Sequence, residues 1–315
     1  MSSHPETPVP LAEHLVSDQD RYVILVNPKA SGGQPAILRR RLAAAFADKD
    51  VHFDIYETDS SAHAYEVAKA AADAGCRAVA VAGGDGTVAQ ALRATAGSET
   101  PVAILPFGTG NQLAVNFGIP ASLEGAVDVA VRGVVEKIDL GRIGGEYFAL
   151  IAGAGLDAEV MAGATAELKQ RLGFAAYLYS GLKTVITPQR ADFRIVADGH
   201  EVEVTASMVL LANVGQLAAG SLPVEVTVGP RVSFKDGLID VCIYAPRNLP
   251  EMARMVWRVA RQEYAGDDRM LFLQAREVQV EADPPVAVQI DGEPRGETPI
   301  QAEVVPLAGR ILVRG

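Results

Sequence analysis

The sequence predicts an α/β + β protein, with a parallel α/β domain first and a β-rich domain after it. Three observations carry that reading. Up to about Gly133, short apolar runs alternate with helical patterns four times, the order that builds a parallel sheet covered on both faces. Three of the four strand-to-helix loops hold glycine beside a polar group, at the carboxyl ends of strands where such sheets bind ligands. After about Gly141 strand patterns dominate, with Asp-Gly hairpin signals between them.

The chain has 315 residues, 49% of them hydrophobic and 21% charged, which is long enough for two cores and typical of a folded protein. A net charge of −11 argues against a nucleic-acid partner and against general attraction to anionic lipid, so a membrane contact would have to be apolar. No apolar stretch approaches ~18 residues, and the first twenty positions lack the basic and apolar regions of a signal peptide. Cys76 and Cys242 lie far apart and offer neither a disulfide framework nor a zinc spacing. These signs fit a cytoplasmic protein, with peripheral membrane contact open.

Residues 1–20, with Pro5, Pro8 and Pro10, read as a mobile leader. The first strand spans Tyr22 to Val26, and Asn27-Pro28-Lys29-Ala30-Ser31-Gly32-Gly33 forms a glycine loop before a helix that Pro35 opens. Val51 to Tyr56 is the second strand, Thr58 to Ser61 offers helix caps, and the helix Ala62 to Ala74 is closed by Gly75. Val79 to Val81 leads into Gly83-Gly84-Asp85-Gly86-Thr87, with a helix expected from Thr87. Pro101 to Leu105 precedes the third loop, Pro106-Phe107-Gly108-Thr109-Gly110-Asn111, and a further helix follows from Ser122. Domain limits are expected at 21–142, with 303–315 returning, and at 143–302. In the second part, strands are expected at Tyr147–Ile151, Phe193–Ala197, Val202–Leu211, Leu238–Tyr244, Val278–Glu281, Val286–Ile290 and Ile311–Val313. Helical patterns at Phe174–Ile186 and Glu251–Glu263 present apolar faces, read as core packing with a lipid-facing surface as the alternative.

The 83–87 loop is the centre of the chemistry. Unpaired N–H groups at a helix N-terminus and glycines without Cβ atoms suit phosphate oxygens. Asp85 would repel them unless a cation lies between or the carboxylate takes a proton, which favours a nucleoside triphosphate over a dinucleotide. The plainer alternative is a glycine-rich turn with a capping aspartate. The chain has no G-x-x-x-x-G-K-[ST] loop, G-x-S-x-G elbow or H-E-x-x-H pair, and its five histidines lie outside the glycine loops, so carboxylates must carry the chemistry. The candidates are Asp85, Asp157, Asp236, Asp240, Asp291 and Glu293; Asp236-Gly237 and Asp291-Gly292 also read as hairpin turns.

The ordered set Asn27-Pro28 with Ser31-Gly32, Gly83 to Thr87, Pro106-x-Gly108-Thr109-Gly110-Asn111, Gly155-x-Asp157, Asp236-Gly237-x-x-Asp240 and Asp291-Gly292-Glu293 resembles the diacylglycerol kinase catalytic-domain family, which includes bacterial soluble lipid kinases and sphingosine kinases. The resemblance implies an NAD kinase/phosphofructokinase-like first domain, a C-terminal β-sandwich domain, and a last strand near Arg310 to Val313 returning to the first. It implies ATP and Mg²⁺, with Asn27, Ser31, Thr58, Gly83, Gly84, Gly86, Thr87, Gly108, Thr109 and Asn111 around the nucleotide. Asp291 would be the base toward the acceptor hydroxyl, Glu293 would assist through Mg²⁺, and Asp85 would hold metal or phosphate; related sphingosine kinases give the base role to the equivalent of Asp85. Asp236 and Asp240 match a structural Mg²⁺ segment, and Asp157 matches a contact with the acceptor head group. Gln112 stands where many bacterial members have Asp. The implied function is ATP- and Mg-dependent phosphorylation of a lipid hydroxyl, such as that of diacylglycerol, at the membrane surface. Alternatives are an NAD kinase-like enzyme and a non-enzymatic nucleotide or lipid sensor. A homodimer stays open, since oligomeric state has no linear signal.

Overall fold

The computed structural model describes residues 20–31, 34–155, 190–214, 216–218 and 225–315. The expected leader, Gly32-Gly33, Asp157 and the 174–186 helix lie outside the described residues.

Strands β1 (Tyr22–Val26), β2 (Phe53–Glu57), β3 (Ala78–Gly83) and β4 (Val102–Pro106) pair in parallel in the order β2-β1-β3-β4. β1 and β3 are buried along their whole length because helices cover both faces, which is why they read as unbroken apolar runs. Helices α1 (Pro35–Ala47), α2 (Ser61–Asp73), α3 (Asp85–Thr95), α4 (Gln112–Asn116) and α5 (Leu123–Arg132) alternate with these strands or follow them. Their ends follow local chemistry. Pro35 occupies the first turn of α1, where no N–H is missed. Ser60 Oγ accepts from the His63 N–H at 3.2 Å, Ser122 Oγ accepts from the Gly125 N–H at 3.3 Å, and Gly75 leaves α2 at φ +68°. α3 begins at Asp85, two residues before the expected Thr87, with Gly84 at its N-cap.

The second half is built from two sheets. β18 (Ile300–Val313) pairs in parallel with β4 at Ile311↔Val102, antiparallel with β5 (Val134–Ile143), and through its first residues with β15 (Glu277–Asp283). The first sheet thereby continues past its parallel part through β15 to β8 (Ala191–Ala197) and β9 (His200–Ala206). An antiparallel second sheet has the order β14-β13-β10-β7-β16-β17, formed by β7 (Ile151–Ala154), β10 (Met208–Ala212), β13 (Ile239–Tyr244), β14 (Met270–Ala275), β16 (Ala287–Ile290) and β17 (Glu293–Glu297). Phe193, Ile195, Val278 and Val280 of the first sheet meet Val209, Leu211, Val241 and Ile290 of the second, giving a sandwich core. On the other face of the second sheet, Ile151, Leu210 and Tyr244 lie in one cluster with Met255 and Val259 of helix α6 (Leu249–Ala260).

Several strand expectations change. Val202–Leu211 is not one strand: the chain bends at Ser207, so β9 pairs with β8 in one sheet and β10 with β7 and β13 in the other. An alternating pattern persists across a corner because each half buries one face. Tyr147–Ile151 is also two strands, β6 (Glu146–Phe148) and β7, with Ala149 and Leu150 between them. β5, β14 and β17 were not anticipated, and Ile311–Val313 is only the end of the 14-residue β18. The Asp198-Gly199 turn is present, with φ of 47° and 83° as a primed hairpin turn requires.

Candidate active site

The three glycine loops meet at the carboxyl ends of β1, β3 and β4. Asn27, one residue past β1, donates through Nδ2 to Thr87 Oγ1 at 3.1 Å and accepts the Lys29 N–H at 3.0 Å, linking the first loop to the second. The second and third loops touch backbone to backbone. A Cβ on Gly108 would lie 2.3 Å from Gly84 Cα, and one on Gly84 would lie 3.2 Å from Gly108 Cα. Gly108 therefore requires glycine, and Gly84 is tight enough to favour it, for a steric reason that no local turn reveals. Gly83 is similarly close, since its Cβ would stand 3.0 Å from Thr87 Oγ1, whereas a Cβ on Gly86 would meet nothing within 4 Å. Asn111 folds the third loop on itself at φ 47°, its amide exchanging hydrogen bonds of 2.9 and 2.8 Å with the Gly108 N–H and carbonyl. Thr109 is exposed at the loop tip.

Beside these loops lies a cavity of about 290 Å³ lined by Asn27, Lys29, Thr58, Ser61 and Thr87, among others. Thr58 is buried, with its N–H on the Val26 carbonyl at 2.9 Å. Ser31 belongs to the 3-10 turn Pro28–Ser31 that follows β1.

Asp85 is indeed a capping aspartate, but for another helix. Its Oδ1 accepts the Leu113 N–H at 3.0 Å, and its carboxylate also takes the Gln112 amide, so it closes the start of α4 in the third loop. Burial pushes its pKa up against those two amides. Gln112, expected only as a departure from the family pattern, is itself buried beside Gly110.

Asp291 and Glu293 sit on the β16–β17 turn, where Asp291 adopts φ 47°. The Asp291 carboxylate accepts the N–H groups of Ala149, Leu150 and Ile151 at 2.9, 2.9 and 3.0 Å, which accounts for the break between β6 and β7. Burial pushes its pKa up to about 6, while the three amides and nearby Arg93 pull it down. Among the described residues Oδ1 takes two of the three bonds and Oδ2 one, which leaves Oδ2 a lone pair. Glu293 is committed differently. It accepts from Gln90 at 3.2 Å and from Arg295 at 2.6 Å, and Arg93 lies 4.0 Å away. Arg93 and Arg295 also pair with Glu146 at 2.9 and 2.7 Å. Although burial alone would raise it, a hydrogen bond from Ser61 and then the Arg295 and Arg93 cations hold the Glu293 carboxyl below the usual range. Through Gln90 and Arg93 of α3, the hairpin of the second sheet is tied to the helix that starts at Asp85.

Asp236 and Asp240 form a second acidic pair. Asp240 is 4% exposed, its Oδ2 is buried without a hydrogen-bond partner, and burial, then Asp236, pushes its pKa up to about 6. Such an orphaned carboxylate oxygen fits a bound cation. Among the described residues no cluster of three or more His, Cys, Asp or Glu side chains forms a metal cage, so further ligands would be carbonyls or water.

Sequence reasoning missed Gln90, Arg93, Glu146 and Arg295, and also Asp139 and Asn213. Buried Asp139 accepts the Gly237 N–H at 2.7 Å and the Leu307 N–H at 2.9 Å, fixing the Asp236 turn. Asn213 donates to the Asp139 and Ala149 carbonyls at 2.8 and 3.1 Å, bracing the turn that holds Asp291. The available signal was a lone polar residue inside an apolar run: Gln90 between Ala89 and Ala91, and Asn213 after Met208–Ala212.

Comparison with known proteins adds family membership to this geometry. Residues 21–143 match the diacylglycerol kinase catalytic domain, and residues 151–313 match the YegS C-terminal NAD kinase beta sandwich-like domain. The chain is 30% identical over 302 residues to a diacylglycerol kinase of Mycobacterium tuberculosis (strain ATCC 25618 / H37Rv), covering 93% of this chain and 94% of that one. It is 29% identical over 287 residues to a diacylglycerol kinase of Bacillus subtilis (strain 168), covering 89% and 91%. A crystal structure described as a diacylglycerol kinase from Bacillus anthracis str. Sterne superposes with a TM-score of 0.75 over 93% of this chain and 97% of that one, at 24% identity, a likeness of fold. Two adjoining family models and relatives aligned over nearly their whole length agree: the chain belongs to the diacylglycerol kinase-like lipid kinases, phosphotransferases with an alcohol acceptor.

Proposed function

We propose that this protein transfers the γ-phosphoryl group of ATP, with Mg²⁺, to a hydroxyl of a membrane lipid, diacylglycerol or a related lipid alcohol. The observation that carries the reading is the tie between the Asp291–Glu293 hairpin and α3, the helix whose N-terminus forms the glycine loop. ATP with a divalent cation supplies the phosphoryl group and neutralises phosphate charge.

Asn27, Thr58 and Thr87 offer polar groups to the nucleotide, Ser31 and Thr109 join them by family likeness, and Lys29 adds a cation. Gly86, where a Cβ would meet nothing, leaves room for phosphate oxygens at the start of α3, Gly83 and Gly84 line the same loop by family likeness, and Gly108, its N–H held by Asn111, keeps the third loop in shape. Asp291 is the base: at neutral pH it is ionised, its free Oδ2 lone pair can take the hydroxyl proton, and a pKa near the operating pH suits the task. Glu293 holds the hairpin to α3 through its ion pairs, so any assistance through a metal is indirect. Asp85 fixes the third loop against the second, and a direct role toward phosphate or metal would rest on family likeness. Asp236 and Asp240 would hold a structural cation through the unpaired Asp240 Oδ2, and Asp157 would touch the acceptor head group. The domain division at 142/143, with 303–315 returning, follows the same likeness.

The test is transfer of labelled γ-phosphate from ATP with Mg²⁺ to detergent-dispersed lipids, with NAD as a competing acceptor and Asp291→Asn as control. Label in one lipid, lost in the variant with ATP affinity spared, supports the reading. Label in NAD overturns the lipid assignment, and tight ATP binding without any labelled acceptor favours a sensor.

A further inference from the structure

The chain has one tryptophan, Trp257, and it lies outward on α6 with 64% of its surface exposed. Leu249, Ala253, Trp257 and Arg261 follow at intervals of four, so they form one row on the helix, with Pro250 and Arg254 beside it. Every one of these residues is exposed, whereas Met255 and Val259 are buried. The buried residues of α6 are therefore satisfied inward, and the outward row carries a second apolar strip with no partner among the described residues. Arg261 stands over the Trp257 ring at 5.8 Å and pairs with Glu263 at 2.7 Å, while Arg254 has no carboxylate within ion-pair distance among the described residues. Of the three arginines in 249–262, Arg258 pairs with Asp267 at 3.5 Å, which leaves Arg254 and, beside Glu263, Arg261 as the cations of this face in a chain of net charge −11.

We propose that this face of α6 docks the protein on an anionic lipid bilayer, with Trp257 and Leu249 as apolar anchors and Arg254 and Arg261 as headgroup contacts. The combination is that of an interfacial helix: an indole at the boundary, cations beside it, and no apolar stretch long enough to span. Charge selects the occupant. A two-fold contact with a second copy through α6 would bring the arginine pair of one copy against that of the other, and exposed Leu249 and Trp257 beside those cations suit a bilayer interface and not a nucleic-acid backbone. Position agrees as well. The inner face of α6 clusters with Ile151, whose N–H holds Asp291. A bilayer on the outer face would then lie about one helix diameter, ~10–12 Å, from the sheet that carries the proposed base. That last point rests on the lipid-kinase reading; the docking face itself does not.

The experiment reads binding and not turnover, so its failure and the failure of the kinase assignment are separable. The full chain, without ATP, is titrated with phosphatidylcholine vesicles and with vesicles containing phosphatidylglycerol, following Trp257 emission and its quenching by brominated acyl chains. A blue shift and quenching with the anionic vesicles, both weakened by salt, are expected. The Arg254→Glu/Arg261→Glu variant keeps the reporter and should bind at least roughly thirtyfold more weakly, with unchanged thermal stability and unchanged phosphorylation of micelle-dispersed lipid. No shift with anionic vesicles, or equal binding by the variant, overturns the proposal. A concentration-dependent shift without vesicles overturns it in favour of self-association.

Discussion

On Asp291, burial pushes the carboxyl up to about 6 while three amides from the β6–β7 turn pull it down. If this group accepts the hydroxyl proton, transfer should rise with pH to about 6 and level off above it, falling toward tenfold per unit on the acid side. An acid limb near 4 would reassign the base. Asp291→Asn should lower transfer by ~10²–10⁴-fold. It also sets an amide donor against one of the three N–H groups, so thermal melting must accompany the assay; a loss of about 1–3 kcal/mol is expected. Gly86 offers a cleaner separation of binding from folding. Its Cβ would meet nothing within 4 Å and it lies in a helix, so Gly86→Ala should keep or raise the melting temperature while weakening ATP binding, if the nucleotide approaches there. Unchanged affinity would move the phosphates elsewhere.

At the level of elements, the third loop stands on two supports from the second. One is the contact of Gly84 with Gly108, where a side chain on Gly108 would force the loops apart. The other is the Asp85 cap on α4. Asp85→Ala should destabilise the protein by about 1–2 kcal/mol, and Asp85→Asn by less, because the amide oxygen can still accept the Leu113 N–H. If the two variants lose transfer equally although Asn keeps the stability, Asp85 has a role in the chemistry beyond capping. Gly108→Ala should cost more than either change, with amide exchange in residues 106–113 as the readout that localises the damage. The Glu293, Arg93, Arg295 and Glu146 group is an element-level tie as well: it joins strands of both sheets to α3.

For the molecule as a whole, Asp240 and Asp291 both have folded pKa values of about 6 against about 4 unfolded. A carboxyl that binds its proton more tightly when folded stabilises the native state at low pH, and that contribution is lost as pH rises from about 4 to about 6. The difference in stability between wild type and Asp240→Asn should therefore move in favour of the variant across this window. A cation at Asp236 and Asp240 would reverse the balance at neutral pH. Added Mg²⁺ should raise the wild-type melting temperature, by about 2.7 kcal/mol of stability at a hundredfold excess over Kd, and leave Asp240→Asn unmoved. An equal shift in both proteins would place the ion elsewhere. Net charge is a whole-molecule average too, and it concealed the cationic row on α6.

The alternation of strands and helices, the three glycine loops, the hairpin at Asp198-Gly199 and the order of carboxylates are all legible along the chain. These rest on periodicity and on residue-specific backbone freedom, which act over a few neighbours. What those carboxylates touch depends on long-range packing. Asp85 caps a helix 28 positions away, Asp291 is held by amides 140 to 142 positions away, and Glu293 meets Gln90 across 203. The same packing decided that 202–211 divides between two sheets and that β18 joins the parallel strands to the sandwich. Such contacts form because burying both sheet faces brings distant segments together, and a buried polar group must then find its partner wherever the packing puts one.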